Sequence, residues 1–173
     1  MKDLKYLIII IVIVLSHSCT YGKINNMLTV AEHNSIKVNG INLTEINNTK
    51  GDTTQMKLLF GNNTAFELES DPHSMISFWD TSKGFYFRFE LTGPNLSADY
   101  TLYDFNVSNA NSNVTVKGTT LTIGSDISLL GNVNVDYTAK QIVFVTNYTS
   151  DMLILKFSDL TSKITEIQFV TLY

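Results

Sequence analysis

Apolar and polar residues alternate with a period of two over much of the chain, which is typical of β-strands with one buried face. In the segment 85–90, the three phenylalanines fall on one face, and Tyr86 and Arg88 fall on the other. Apolar runs of this kind predict strands at residues 36–38, 66–71, 75–79, 85–90, 100–107, 114–122, 133–137, 141–146, 152–157 and 164–172. The chain is therefore expected to be rich in β-structure.

Residues 52–61 follow a helical pattern instead. Asp52 can accept hydrogen bonds from the free N–H groups of a first turn, and Gln55 three residues later completes the pattern of a capping box. Met56 and Phe60 are four residues apart and share one face of a helix. Gly61 can adopt the left-handed conformation that ends it. Because so short a helix is marginal in isolation, we expect it to pack against the strands that follow.

Two segments of the chain resemble each other. Residues 38–44 and 116–122 share Val, Gly, Leu and Thr at the same positions. Each copy leads to a polar patch, a short apolar run that stops at a glycine, and then strands. The strand around Lys156 also matches the strand around Arg88 position by position. This order predicts an internal duplication, with repeats at residues 36–107 and 114–173.

These elements predict an α+β fold of two similar halves, each a short helix packed on a small antiparallel sheet, joined by a linker at residues 108–113. A unit of about 70 residues without a disulfide or a metal has a thin hydrophobic core. The two halves are therefore expected to share one sheet or one interface. The alternative is a single all-β sandwich whose turns happen to look alike.

Residues 1–19 are typical of an export signal, because a basic start precedes an apolar run of ten residues at 6–15. That run is short for a membrane span. Cys19, the only cysteine of the chain, follows it in a context that resembles the lipobox of bacterial lipoproteins. We therefore expect a lipid-anchored protein of the bacterial cell envelope, with residues 20–35 as a tether. The alternative is an ordinary signal peptide and a secreted protein.

Charge and composition exclude several functions. The chain has 12 Lys and Arg against 16 Asp and Glu, a net charge of −4, so no basic surface is predicted for nucleic acid. No metal-binding, nucleotide-binding or catalytic motif is recognisable, and we expect neither a cofactor nor an enzyme. The carboxylates of Glu67, Glu69 and Asp71 form the one acidic row. A solvated strand face explains this row, with a hydrolase as the alternative.

Three features follow one another along the chain: a short capped helix that ends at Gly61, then Trp79, then a hairpin containing residues 85–89. This order is similar to that of the β-lactamase-inhibitor-protein-like module. That module also occurs in small outer-membrane assembly lipoproteins, and in the inhibitor it is present in tandem. The resemblance covers residues 36–173. It implies protein binding in the cell envelope through the open face of the sheet.

The candidate binding residues are Trp79, Tyr86 and Arg88 of the central hairpin, together with Lys156. Trp, Tyr and Arg are the residue types that dominate the energetics of protein interfaces. Alternation places either Phe78 or Trp79 inside, and it slightly favours Trp79 for the core. The sequence thus predicts a non-catalytic module that binds an envelope or extracellular protein. A carbohydrate- or small-ligand-binding module is the alternative.

Overall fold

The computed structural model of the protein describes residues 25–171 apart from residues 62, 63, 65, 72–74 and 95–98, and it describes only the backbone of residues 67–71. The predicted signal segment and Cys19 lie outside the described residues. The strands are β1 (Asn25–Met27), β2 (Lys37–Val38), β3 (Ile41–Asn42), β4 (Glu67–Asp71), β5 (Met75–Asp80), β6 (Phe85–Leu91), β7 (Tyr100–Val107), β8 (Asn113–Val116), β9 (Thr119–Thr122), β10 (Gln141–Val145), β11 (Asp151–Phe157) and β12 (Ile164–Thr171). The helices are α1 (Val30–Asn34), α2 (Leu43–Asn48), α3 (Thr53–Phe60) and a 3₁₀-helix, η1 (Ile127–Leu130).

A large sheet of eight strands has the order β1-β10-β11-β12-β7-β6-β5-β4. Its neighbouring strands are antiparallel except for β1, which pairs in parallel with β10. Strands β7 and β12 meet at the centre, with β4 to β7 on one side and β10 to β12 on the other, and β1 from the N-terminal part of the chain extends the β10 edge.

A small sheet of four strands has the order β3-β2-β8-β9 and joins one hairpin from each half of the chain. Both hairpins turn through two residues with positive φ, namely Asn39 and Gly40 (51° and 83°) and Lys117 and Gly118 (51° and 77°). Two such residues in succession are the requirement of the type I′ turn that matches the twist of the strands. The repeated glycines of the sequence are therefore turn residues.

The hydrophobic core lies on one face of the large sheet, which we call the inner face. Phe87, Phe105 and Phe169 are buried there, and the rings of Phe105 and Phe169 stack with their centroids 5.4 Å apart. Phe60 of α3 packs its ring 5.1 Å from that of Phe87. Helices α1 to α3, η1 and the small sheet all lie on this side, since their buried or ring-packed side chains contact the same core.

The predicted fold class is confirmed, because the protein is a β-rich α+β structure with two sheets. The expectation that the halves share one sheet is also confirmed. Helix α3 begins after Asp52, whose carboxylate accepts a hydrogen bond of 2.9 Å from the N–H of Gln55, and Gly61 follows it with a φ of 95°. The duplication itself stays a prediction.

Four local expectations differ from the structure. Residues 114–122, expected as one strand, form the hairpin of β8 and β9 instead, because the chain turns at Lys117 and Gly118. The predicted tether does not hold from residue 25 onward, because β1 pairs with the sheet, α1 begins with a capping box and Leu28 is buried. Helix α2 was not predicted, although Asn42 and Glu45 form its capping box. Residues 133–137 form no strand, since the carboxylate of Asp136 accepts hydrogen bonds from the N–H groups of residues 138 and 139 and turns the chain.

Candidate functional site

The outer face of the large sheet, the one turned away from the core, carries two adjacent rows of side chains. Residues paired directly across strands point to the same side of a sheet, so the register defines each row. One row contains Val143, Ile154, Gln168, Asn106, Tyr86 and Trp79. The next contains Met27, Val145, Met152, Val170, Asp104, Arg88 and Ser77.

The two ends of this face differ in character. Strands β5 to β7 contribute a polar-aromatic patch, consisting of Ser77, Trp79, Tyr86, Arg88, Tyr103 and Asp104. Strands β1 and β10 to β12 contribute an apolar patch, consisting of Met27, Val143, Val145, Met152, Ile154 and Val170. Met27 is 53% exposed, whereas Val143 is buried.

Trp79 belongs to the outer face. Phe78 is fully buried and packs its ring 5.9 Å from that of Phe89, whereas Trp79 is half-buried with its ring 6.5 Å from that of Tyr86. The Tyr86 hydroxyl in turn lies 3.1 Å from the hydroxyl of Ser77. The slight preference for Trp79 in the core was therefore wrong. Successive side chains of a strand point to opposite faces, so only one of Phe78 and Trp79 can face the core, and Phe78 is the one that does.

Arg88 is held on the outer face by Asp104. The Arg88 guanidinium donates a hydrogen bond to Oδ2 of Asp104, and it lies 4.8 Å from the centre of the Tyr103 ring. A bulge between Arg88 and Phe89 shifts the register here. Burial raises the pKa of Asp104 above its ordinary value, although the hydrogen bond and charge of Arg88 oppose this.

This ion pair keeps unused hydrogen-bonding capacity. Nε of Arg88 and Oδ1 of Asp104 are buried and have no partner among the described residues. Only 10% of the Asp104 side chain is exposed, so removing Arg88 would leave a buried, unpaired carboxylate. Arg88 is thus a structural residue as well as a surface residue.

Lys156 lies on the same face but apart from the other candidates. Strands β12 and β7 separate it from Arg88. Its ammonium group binds Glu166 of β12 at 2.8 Å, and Glu166 also accepts a hydrogen bond of 2.6 Å from Asn106. The structure therefore brings Trp79, Tyr86 and Arg88 together and leaves Lys156 in a separate polar contact.

Sequence reasoning did not identify the apolar patch. The signal was present in the alternation of 152–157, which puts Met152 and Ile154 on the face opposite to the core. The patch becomes continuous only because Met27 pairs with Val145 and Val145 pairs with Met152. Such long-range register cannot be read from one sequence.

A cleft of about 380 Å³ opens on the inner face, at the end of the large sheet where α1 and α2 cross β7, β11 and β12. Its floor is apolar and consists of Leu43, Leu102 and Phe169, all of which are buried. We call this cavity the inner cleft. It contains none of the residues that the sequence suggested as binding residues.

A His–Asp pair stands at the rim of the inner cleft. Nε2 of His33 lies 2.9 Å from Oδ2 of Asp151, at ion-pair distance but without the geometry of a regular hydrogen bond, and the two side chains are 14% and 13% exposed. The contact with Asp151 raises the pKa of His33 above its ordinary value, against an opposing effect of burial. For Asp151, burial favours a higher pKa, but the contact with His33 and the hydroxyls of Thr171 and Thr149 outweigh it, so the pKa is lowered.

The remaining candidates give no site within the described residues. The side chains of Glu67, Glu69 and Asp71 lie outside them, so the acidic row stays a prediction. No three His, Cys, Asp or Glu side chains of the described part come together in a way that could hold a metal ion. None of the helices described is long and apolar enough to cross a bilayer.

Comparisons with known proteins add no relative. No protein-family model matches the chain, and neither a curated protein nor a solved structure matches it. The resemblance to the β-lactamase-inhibitor-protein-like module stays a prediction. The functional interpretation therefore rests on the geometry of the outer face and of the inner cleft.

Proposed function

We propose that this protein is a non-catalytic binding module of the cell envelope, which docks another exported protein on the outer face of its large sheet. The observation that carries the proposal is the position of the core. Every described helix contacts the inner face or its core, so none of the described helices covers the outer face, where Trp79, Tyr86 and most of the apolar side chains are half-buried or exposed.

The dimensions of this face fit a protein partner. Eight strands spaced by about 4.8 Å span about 34 Å, and a strand of about six residues adds about 20 Å in the other direction. The resulting area of about 700 Å² is close to the roughly 800 Å² that each partner contributes to a standard interface. A partner of this size would cover both patches at once.

The chemistry of the two patches fits the same role. Tryptophan, tyrosine and arginine are enriched among the residues that dominate binding energy, and the polar-aromatic patch contains all three. Methionine adapts its shape to a partner, and Met27 and Met152 stand next to the valines of the apolar patch. We expect the apolar patch to supply buried area and the polar-aromatic patch to supply specificity.

A lipid on Cys19 would hold this module close to a membrane. Because β1 begins at Asn25, only residues 20–24 separate the cysteine from the sheet. Five residues span at most about 17 Å when fully extended. The anchor is tested by replacing Cys19 with Ser, which should abolish fatty-acid labelling and release the protein from membranes. Absence of labelling in the wild type would contradict the anchor.

The docking face is tested by cross-linking in intact cells, followed by purification of the protein and identification of what is attached. The Trp79→Ala, Tyr86→Ala double variant removes the aromatic surface and leaves the Arg88–Asp104 pair in place. Leu58→Ala is the control, since Leu58 is 61% exposed on α3, on the other side of the sheet.

We expect the wild type and the Leu58 control to capture the same proteins, and we expect the double variant to lose them. A second variant, Met27→Ser with Met152→Ser, tests the apolar patch separately. If both outer-face variants capture the same proteins as the wild type, the proposed docking face is wrong.

A further inference from the structure

The inner cleft has the size and position of a small-molecule site. Its volume of about 380 Å³ lies within the range of roughly 300–1,000 Å³ that small-molecule sites occupy. It lies between two packed layers, the helices α1 and α2 and the large sheet, so its walls are fixed by the core. It is also on the face opposite to the proposed docking surface, and the two can therefore be occupied independently.

The walls of the inner cleft are electrically neutral overall. The charged side chains that line it are His33 and Asp151, and these two bind each other. Among the described residues, no lysine or arginine lines it, so none of these side chains would pair with a phosphate or a carboxylate. Asp151 is already satisfied by His33 and by Thr171, which leaves little attraction for a free cation. A neutral ligand fits this balance.

The polar groups of the rim offer both donors and acceptors. The Oδ1 atom of Asn47 accepts a hydrogen bond of 2.7 Å from the N–H of Leu102, which leaves the Nδ2 group as a donor. The Thr171 hydroxyl donates to Asp151 at 2.8 Å and keeps its lone pairs as acceptors. Thr44 on the exposed rim adds another hydroxyl. Hydroxyl groups, which both donate and accept, match this set best.

One side of the ligand must be apolar. Leu43, Leu102 and Phe169 form a continuous apolar floor beneath the polar rim. Tyr148 approaches from the turn between β10 and β11, with its ring edge-on to His33 at 5.7 Å, and it is 41% exposed. Pyranose sugars combine hydroxyl groups around the ring with an apolar C–H face, and they pack this face against apolar and aromatic side chains.

We propose that the inner cleft binds a neutral sugar, of the size of one or two pyranose rings, with its C–H face on the apolar floor and its hydroxyls on Asn47, Thr44 and Thr171. The sugar can be free or can be the terminal residue of a glycan, since both present the same chemistry. This site is separate from the proposed docking face and does not depend on it.

The test measures binding of neutral monosaccharides and disaccharides to the purified protein by ligand-observed NMR and calorimetry. Glucose, galactose, mannose and N-acetylglucosamine are the neutral probes, and glucuronate and glucosamine are the charged ones. A glycan array distinguishes a terminal residue from a free sugar. We expect saturable binding of at least one neutral probe, at least tenfold weaker binding of its charged counterpart, and no change when the docking-face variants are used.

Three variants locate the site. Thr44→Phe fills the cleft from its exposed rim and is expected to weaken binding at least tenfold, and Thr171→Val removes one hydroxyl and is expected to weaken it about threefold to tenfold. Thr120→Val is the control, because Thr120 lies on an exposed strand of the small sheet. Absence of binding to every neutral probe would overturn the proposal, as would unchanged binding by both cleft variants or a preference for the charged probes.

Discussion

The His33–Asp151 pair fastens helix α1 to the end of the large sheet, and its loss should have a measurable effect on stability. The perturbation is Asp151→Asn, which removes the charge and keeps the shape of the side chain. Unit charges 3–4 Å apart attract each other by about 4–6 kcal/mol at an effective dielectric constant of about 20. Both side chains are mostly buried, so the loss of their hydration offsets part of this attraction.

The net contribution expected for this ion-pair contact is about 1.5–3 kcal/mol in the free energy of unfolding, the range of hydrogen bonds to charged groups. For a domain of this size, each kcal/mol corresponds to about 2–4 °C, so Tm should fall by about 3–12 °C. Asp159→Asn is the matched control. The Lys140–Asp159 pair has a similar distance of 2.8 Å, but its side chains are 50% and 52% exposed. An exposed pair contributes about 0–1 kcal/mol.

The pH dependence follows from the direction of the two pKa shifts. The pKa of His33 is raised in the folded protein, so its contribution is complete below its unfolded pKa of about 6.5 and is lost as pH rises through the folded value. The pKa of Asp151 is lowered, so its contribution is complete above about 3.9 and is lost as pH falls through the folded value. The pair therefore stabilises the fold most between about pH 4 and 6.5.

The assay is urea denaturation of wild type and Asp151→Asn at pH 5.5 and at pH 9. Tyr148, the aromatic neighbour of His33, stays uncharged in this range, because burial and the charge of Asp151 raise its pKa above the ordinary value. The difference between the two proteins should be largest at pH 5.5 and should shrink at pH 9, while the Asp159→Asn difference stays small. An equal difference at both pH values, or an equal effect of the control, would refute the reasoning.

Two further predictions concern the fold. Phe78→Ala should lower the free energy of unfolding by about 3–5 kcal/mol, since removal of the fully buried ring leaves a cavity. Trp79→Ala on the outer face should lower it by only about 1 kcal/mol. Equal losses for the two variants in urea denaturation would contradict the assigned faces. Asp52→Ala should lower the free energy of unfolding by about 0.5–2 kcal/mol, because the N–H of Gln55 loses its acceptor. Asp52→Asn keeps a capping oxygen and should lower it by only a few tenths of a kcal/mol. Similar losses for both changes at Asp52 would mean that the cap does not stabilise α3.

The elements that the sequence predicted well are those whose signal is local. The strand at Phe85–Leu91 alternates strictly between aromatic and polar residues, and α3 has a capping residue, an apolar stripe and a terminal glycine within ten positions. The short helices α1 and α2 were missed although both begin with a capping box, because a helix of five or six residues has too few apolar positions to show a period. Capping residues alone would have found them.

The candidate sites were predictable only in part. Alternation placed Tyr86 and Arg88 on one face, and both lie on the outer face beside Trp79. Lys156 was grouped with them because its strand matches theirs, yet two strands intervene. The inner cleft had no signal, since His33 and Asp151 are far apart in the sequence and lie in segments of no marked pattern.

The sequence by itself determined the β-rich α+β class, the strands with strict alternation and the capped helix, because each depends on residues within about ten positions of one another. The tertiary structure decided which strands pair. Strand β1 reaches β10 from the other end of the chain, and β7 meets β12 at the centre of the sheet. That pairing joins Met27, Val145 and Met152 into one patch and brings His33 to Asp151, since side chains on separate strands become neighbours only through register.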